Sequence, residues 1–296
     1  MTVVDRRATA LGTRGLVLVN PHSGSDATSL DDLRARFGDH DVFECEPHSV
    51  AEQTNAAVAA GRPFVGIAGG DGTIRCAAEV LTDTDVALLA IPEGTHNHFA
   101  KALGIETLDD AVAATKAGRR IAIDVARVNG TTFVNNSSIG VYPGLVTERE
   151  THEDRLPKPI ANLVAAFHQL RAGSSLRVDI DRRPCKAWLV FVGNGAYGEN
   201  LVDIATRESL RDGVLDVRVV RADRRFARLR LVADAFTGRL DRSPVLERRT
   251  CRAITISVRG PRSVDVAIDG EVVKLTAPLH YESAAAALQV LVPARD

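Results

Sequence analysis

The stretch Phe64-Val65-Gly66-Ile67-Ala68-Gly69-Gly70-Asp71-Gly72-Thr73 decides the fold. A short apolar run bounded by turn residues reads as a buried strand. Here it runs straight into a glycine-rich loop and then into a helix predicted to reach Leu81. The loop glycines let a ligand approach the backbone without Cβ clashes, and the N–H groups that open a helix attract anions. The stretch is therefore a candidate phosphate site. Asp71 is the unusual member, because a carboxylate repels phosphate unless Mg²⁺ or a transferable proton lies between them.

The same strand–loop–helix rhythm continues on both sides. Leu16–Asn20 reads as a strand that ends in Pro21-His22-Ser23-Gly24, with a helix from Thr28 or Ser29. Val42–Cys45 is a further strand, and Ser49-Val50-Ala51-Glu52 has the pattern of a capping box opening a helix to Ala60. Val86–Ile91 is a strand followed by Pro92-Glu93-Gly94-Thr95 and a short helix through Leu103. Thr107–Asp110 caps one more helix, to about Gly118. Alternating strands and helices imply a mostly parallel sheet covered on both faces, a Rossmann-like α/β domain over residues 1–125. In such sheets ligands bind at the carboxyl ends of the strands, so the three loops are expected to gather at one edge.

After Ile121 the pattern changes. Segments 121–141, 176–193, 214–220, 251–258, 263–268, 271–275 and 288–292 read as strands, many joined by turn pairs such as Asn129-Gly130 and Asp269-Gly270. Helices are predicted near 158–171 and 224–239. An antiparallel β-sandwich domain over 126–296 follows, with its final strand and tail expected to pack back on the first domain.

Composition narrows the function. The chain has 296 residues, 45% hydrophobic and 25% charged, which suits two globular domains and excludes wholesale disorder. Lys+Arg number 37 against 38 Asp+Glu, a net charge of −1 that argues against a dedicated nucleic-acid binder. Met1–Gly15 has no apolar core of a signal peptide, and no run is long enough to span a bilayer. A cytoplasmic protein with at most peripheral contact at the inner membrane surface is expected. Cys45, Cys76, Cys185 and Cys251 form no Cys-x-x-Cys pair and read as buried free thiols.

Asn20-Pro21-His22-Ser23-Gly24, the Gly69–Thr73 loop and Pro92-Glu93-Gly94-Thr95-His96-Asn97-His98-Phe99-Ala100, in this order, resemble the three N-terminal signatures of the diacylglycerol kinase and sphingosine kinase family. In the second half, Asn135-Asn136-Ser137-Ser138-Ile139-Gly140, Val192-Gly193-Asn194, Leu210–Val217 and Ile268-Asp269-Gly270-Glu271 resemble its C-terminal signatures. The chain is most similar to the soluble bacterial lipid kinases of that family.

The resemblance implies an ATP- and Mg²⁺-dependent kinase acting on a lipid with a free hydroxyl, such as diacylglycerol; a homodimer is compatible with it. It implies that Asn20, Pro21, His22, Ser23, Gly24, Gly69, Gly70, Gly72, Thr73, Thr95 and Asn97 line the nucleotide site. Asp71 would organise Mg²⁺ and the γ-phosphate, and Glu271 would be the general base. Asp124 would belong to a metal–water network, and Asp212 with the carbonyls of Ser209 and Val214 would hold a structural Mg²⁺. The residues agree on Glu271: Asp-Gly-Glu at a hairpin sets a carboxylate on a turn tip, where it can serve a hydroxyl.

The chain departs from the family at two places. The family usually has Asn-Asp-Phe where this chain has Asn97-His98-Phe99, so a titratable imidazole replaces an acid. Arg211 stands where many relatives have a second Asp. An NAD kinase, or a catalytically weak lipid-binding protein of the same fold, is the rival reading. Residues 158–171 carry apolar residues at helical spacing, suited to the core or to a lipid-chain wall. Residues 221–242 set Arg221, Arg224, Arg225, Arg228, Arg230, Arg239 and Arg242 around an apolar face, suited to solvent or to anionic headgroups.

Overall fold

The structure is a computed structural model that describes residues 14–23, 28–95, 97–117, 119–140, 175–198, 207, 209–236, 242–260 and 262–294. Gly24, His96, Arg239 and the helix expected at 158–171 lie outside the described residues. The chain divides into one unit of Met1–Val125 with Ala285–Asp296, and a second of Ala126–Ala284.

The first unit is a parallel sheet. Its strands are β1 (Leu16–Val19), β2 (Asp41–Glu44), β3 (Phe64–Gly69) and β4 (Ala87–Pro92), in the order β2-β1-β3-β4. Beside β4, Val290 of the last strand pairs in parallel with Leu88. All six residues of β3 are buried, as the unbroken apolar run requires of a central parallel strand. The helices are α1 (Leu30–Arg36), α2 (Val50–Ala59), α3 (Asp71–Leu81), α4 (His98–Ala102) and α5 (Leu108–Ala117). α3 buries Ile74, Ala77, Ala78 and Leu81, a single stripe at helical spacing. Truncating Leu81 to Ala there should cost about 2–5 kcal/mol.

Two helix starts follow local chemistry and a third departs from it. Ser29 caps α1, its Oγ accepting the Asp32 N–H at 3.1 Å. Thr107 and Asp110 form a reciprocal cap on α5: Thr107 N–H donates to the Asp110 carboxylate at 2.8 Å, and Asp110 N–H to Thr107 Oγ1 at 3.2 Å. The capping box expected at Ser49 does not form. A 3₁₀ turn over Pro47–Ser49 leads into α2 and leaves Ser49 helical, at φ −98 and ψ −7, without a side-chain cap.

The second unit is antiparallel. It holds β6 (Thr131–Phe133), β7 (Asn136–Gly140), β8 (Leu176–Ile180), β9 (Arg183–Asn194), β10 (Leu215–Arg221), β11 (Leu246–Cys251), β12 (Ala253–Val258), β13 (Ser263–Ile268) and β14 (Glu271–Thr276). Its pairs include β13–β14, β13–β7, β7–β9, β9–β10 and β10–β11. β5 (Arg120–Val128) and β15 (Leu279–Leu291) complete the strands. The turn pairs adopt the left-handed conformations that a two-residue hairpin needs: φ 48 and 85 at Asn129-Gly130, 47 and 92 at Asp269-Gly270. The core gathers Val190, Val192, Val217, Ile256, Val266 and Leu279.

Three expectations are corrected. β15 begins at Leu279, not at 288, because Ala253–Ile256 pair with Leu279–Glu282. β11 was not foreseen, since Leu246-Glu247-Arg248-Arg249-Thr250 is mostly polar; pairing with β10 creates it. Of the four cysteines only Cys45 is buried and the other three are half-buried. Burial pushes the thiols of Cys45, Cys185 and Cys251 up from their ordinary range.

Candidate functional site

The loops after β1, β3 and β4 meet at the carboxyl edge of the first unit's sheet. Asn20 N–H continues the ladder to Ala68 O at 2.9 Å. Its side chain then serves two loops, accepting His22 N–H at 3.0 Å and donating to Thr73 Oγ1 at 3.2 Å. Ser23 N–H returns to Asn20 O at 3.2 Å. Ser23 Oγ is buried with no hydrogen-bond partner, 3.4 Å from where a Cβ on Gly69 would stand. A buried hydroxyl left without a partner costs about 1–3 kcal/mol unless a ligand or water meets it. Beside it begins α3, whose first backbone N–H groups have no acceptor inside the helix. Hydroxyl and helix start together fit a phosphate group. Pro21 and His22 lie at the surface, with His22 Nε2 3.4 Å from Glu46.

The third loop is packed against the second. A Cβ on Gly94 would fall 2.5 Å from Gly70 Cα, so only glycine fits there. Asn97, in the left-handed region at φ 53, closes a ring on Gly94: it accepts Gly94 N–H at 2.8 Å and donates to Gly94 O at 2.7 Å. Thr95 is exposed. Glu93, whose role the sequence did not suggest, accepts Thr28 N–H and Thr28 Oγ1, both at 2.8 Å, and ties this loop to the start of α1.

Asp71 is the first residue of α3 and sits against α4. Its carboxylate accepts the N–H of His98 at 3.2 Å and of Phe99 at 3.1 Å. It therefore satisfies two donors at the start of another helix. Each oxygen keeps further acceptor capacity for a cation or a polarised water. His98 is half-buried, with its backbone held by Asp71. Asp124 is buried on β5 and accepts Ala286 N–H at 2.7 Å, which holds that residue at φ 52.

In the second unit the predicted metal residues surround Gly195. Asp212 accepts Ala196 N–H at 2.9 Å and Val214 N–H at 3.2 Å. Gly195 N–H donates to Val214 O at 2.9 Å. At φ 82, Gly195 leaves a notch in which a Cβ would stand 2.6 Å from Ser209 O and 3.7 Å from both Asp212 oxygens. One carboxylate and two carbonyls form an all-oxygen set suited to a hard divalent cation.

Glu271 opens β14 at the tip of the β13–β14 hairpin and is exposed. The hairpin is pinned by its neighbour Asp269, which is 8% exposed. Asp269 accepts the N–H groups of Val134 and Asn135 at 2.8 Å and of Asn136 at 2.9 Å. Asp269 N–H in turn donates to Asn136 O at 2.9 Å. Sequence reading took Asp269 as a turn former only. The signal was present in the matched Asp-Gly-Glu run, but its acceptor role depends on a segment 133–135 residues away.

That segment is held from the other side too. Tyr197 OH donates to Asn135 O at 2.7 Å, Arg207 donates to Asn135 Oδ1 at 2.9 Å, and Asn194 Nδ2 donates to Val134 O at 3.1 Å. Burial pushes the Tyr197 phenol up to about 12, against the pull of Arg207. Next to it Arg218 and Asp216 form a buried ion pair at 2.8 Å, and Tyr197 N–H donates to the same Asp216 oxygen at 3.2 Å.

Comparison with known proteins agrees with this architecture. Residues 14–128 match the family model of the diacylglycerol kinase catalytic domain. Residues 141–292 match the YegS C-terminal NAD kinase beta sandwich-like domain. The diacylglycerol kinase of Mycobacterium tuberculosis is 30% identical over 93% of this chain and 94% of its own length. The protein named "Probable lipid kinase YegS" in Shigella flexneri is 31% identical over 52% of this chain and 55% of its own. A crystal structure of a diacylglycerol kinase from Bacillus anthracis str. Sterne superposes with TM-score 0.66 at 20% identity, covering 94% of this chain and 96% of that one, which bears on the fold alone. With both domain models matched in sequence order, and a relative alike along nearly its whole length, the chain belongs to the diacylglycerol kinase family of lipid kinases.

Proposed function

We propose that this lipid kinase transfers the γ-phosphoryl group of ATP, with Mg²⁺, to the free hydroxyl of a lipid of the diacylglycerol type. The observation that carries the nucleotide half is the partnerless hydroxyl of Ser23 beside Gly69, with the third loop packed on the second through Gly94 and Gly70. Asn20, Ser23, Gly69, Gly70, Gly72 and Thr73 cradle the phosphates, while Asn97 shapes the third loop through Gly94. Asp71 orients the γ-phosphoryl group and its metal. Asp212, with the carbonyls of Ser209 and Val214, holds a second, structural cation. Bound Mg²⁺ neutralises charge that develops on the phosphate oxygens.

Glu271 accepts the proton of the lipid hydroxyl as its oxygen bonds to the γ-phosphorus, while the bond to the β–γ bridging oxygen breaks and ADP leaves. Positioning and electrostatics supply most of the rate in such transfers. The diacylglycerol kinase of M. tuberculosis, similar over nearly its whole length, supports the acceptor class.

The test is transfer from γ-labelled ATP to a panel of lipids bearing a free hydroxyl, with NAD as a control acceptor. Labelled lipid that depends on Mg²⁺ supports the proposal. Label in NAD overturns it, and lipid binding without turnover favours a binding protein of the same fold. In the active enzyme, Glu271→Gln should leave ATP Kd near normal and lower kcat by about 10²–10⁴-fold. Unchanged kcat removes Glu271 from the chemistry.

A further inference from the structure

The second unit carries an apolar surface that neither the nucleotide loops nor the Asp269 hairpin uses. The helix α6 (Ala227–Phe236) packs by Ala227 and Leu231 on Trp188, Val220 and Val245. Its other side breaks the usual pattern. Leu229 is 69% exposed and Phe226, just before the helix, is 61% exposed. Phe226 also holds φ 57, a left-handed conformation unfavourable for a bulky residue, and gains no burial in return. With the ring of Trp188, these residues border a shallow depression of about 440 Å³.

Most of the charge beside them in sequence is positive, the acids being Asp223 and, further along α6, the half-buried Asp234. Arg224, Arg225, Arg228 and Arg230 alternate with the apolar residues, and none forms an ion pair among the described residues. Arg225 lies 5.0 Å over the Phe226 ring and Arg228 5.8 Å over Trp188, so both stems are held beside the apolar patch. Arg221 does not join them, because Asp223 and Glu247 take it at 2.8 Å each, and Asp223 is the acid nearest the patch in sequence. Exposed aromatic and aliphatic side chains inside a collar of unpaired arginines match a surface that is anionic outside and apolar beneath.

We infer that Phe226 and Leu229, collared by Arg224, Arg225, Arg228 and Arg230, form the docking surface by which this protein sits on an anionic lipid bilayer. The inference deepens the proposed function by naming the surface through which a bilayer-resident acceptor is reached. Its test needs no turnover, so the two can fail separately. Phe226 and Leu229 enter the headgroup–acyl boundary while the guanidinium groups take lipid phosphates. The mode is peripheral: no helix among the described residues is long and apolar enough to cross a membrane.

The experiment is co-sedimentation of the full chain with phosphatidylcholine vesicles, with and without phosphatidylglycerol. Binding should require the anionic lipid and weaken as salt rises. Each arginine should be worth about fivefold in partition, so Arg225→Glu with Arg228→Glu should lower binding by at least about 25-fold. Phe226→Ser with Leu229→Ser should lower it at least about tenfold at unchanged net charge. All four positions are at the surface, and an unchanged Tm confirms folding. Kinase activity on a short-chain, water-soluble acceptor should be unchanged in both variants. Equal binding to both kinds of vesicle, or no effect of the serine pair, overturns the inference. So does a dimer in sedimentation equilibrium that the serine pair dissolves, since the patch would then face a second copy.

Discussion

Asp269 and Asn136 are joined twice over: the Asp269 carboxylate accepts Asn136 N–H at 2.9 Å, and Asp269 N–H donates to Asn136 O at 2.9 Å. The same carboxylate oxygen also accepts Asn135 N–H at 2.8 Å. With Val134 N–H on its other oxygen, the carboxylate is surrounded by three backbone donors. A carboxylate buried in such a cage has backbone donors to meet its oxygens, as a buried polar group requires. Through it the hairpin that carries Glu271 is fixed to the strand start at Asn136.

Asp269→Asn turns an NH₂ group toward one of those backbone donors. It should lower stability by about 1–3 kcal/mol, the cost of leaving a buried donor unmet. The kcat should fall by about tenfold or more, with ATP Kd nearly unchanged, because Glu271 loses its placement while the nucleotide loops are untouched. Calorimetric Tm and ATP titration read the two effects. A variant of normal Tm and normal kcat would mean that the cage supports neither.

Asp71 has two jobs in this reading, and one substitution separates them. Asp71→Asn keeps a carbonyl oxygen for one of the two α4 amides, so the stability loss should stay near about 1 kcal/mol. Turnover should drop at least about 100-fold through the lost charge. A stable variant with normal turnover would leave Asp71 as a helix cap only.

The oxygen cluster at Gly195 predicts a metal-dependent Tm. EDTA and Asp212→Ala should each lower it, and the two should not add, since both empty one site. Asp212 also accepts two backbone N–H groups, so the variant alone should lose somewhat more than chelation does. Fully additive losses, or no response to EDTA, would show that Asp212 only shapes the turn.

Alkaline stability should depend on Tyr281. Burial raises its phenol to about 12, and Ser137 Oγ lies 3.2 Å away. The native state keeps the proton over a range where the unfolded chain, near the ordinary value of about 10, has released it. Stability is therefore complete below about pH 10 and falls as pH rises toward 12. Tyr281→Phe should flatten that fall relative to wild type, measured as Tm between those limits. Parallel curves would place the alkaline loss elsewhere, with Tyr197 the next phenol to replace.

Much of the fold was legible because its signals are local. The continuous apolar run of β3 declares a central strand, and Asn129-Gly130 and Asp269-Gly270 declare hairpins, since few other residue pairs tolerate two successive left-handed conformations. The Thr107–Asp110 cap is equally local. The gathering of the loops after β1, β3 and β4 follows from strand direction alone, because loops at the carboxyl ends of parallel neighbours share an edge.

Only the tertiary structure decided how those pieces are held. That Asp71 caps α4, that Glu93 ties Thr28, and that Asp269 binds Val134 to Asn136 depends on partners 27, 65 and more than 130 residues away. A carboxylate reads the same in sequence whether water or a backbone amide meets it. β11 became a strand against its own composition, and β15 starts as early as Leu279, because a paired edge offered each of them hydrogen bonds. Likewise the arginines around α6 divided only on folding: Arg221 found Asp223 and Glu247, while Phe226 and Leu229 stayed at the surface beside arginines that form no ion pair among the described residues. Local chemistry set which elements form, and long-range pairing set which charged and apolar side chains remain free to meet a ligand.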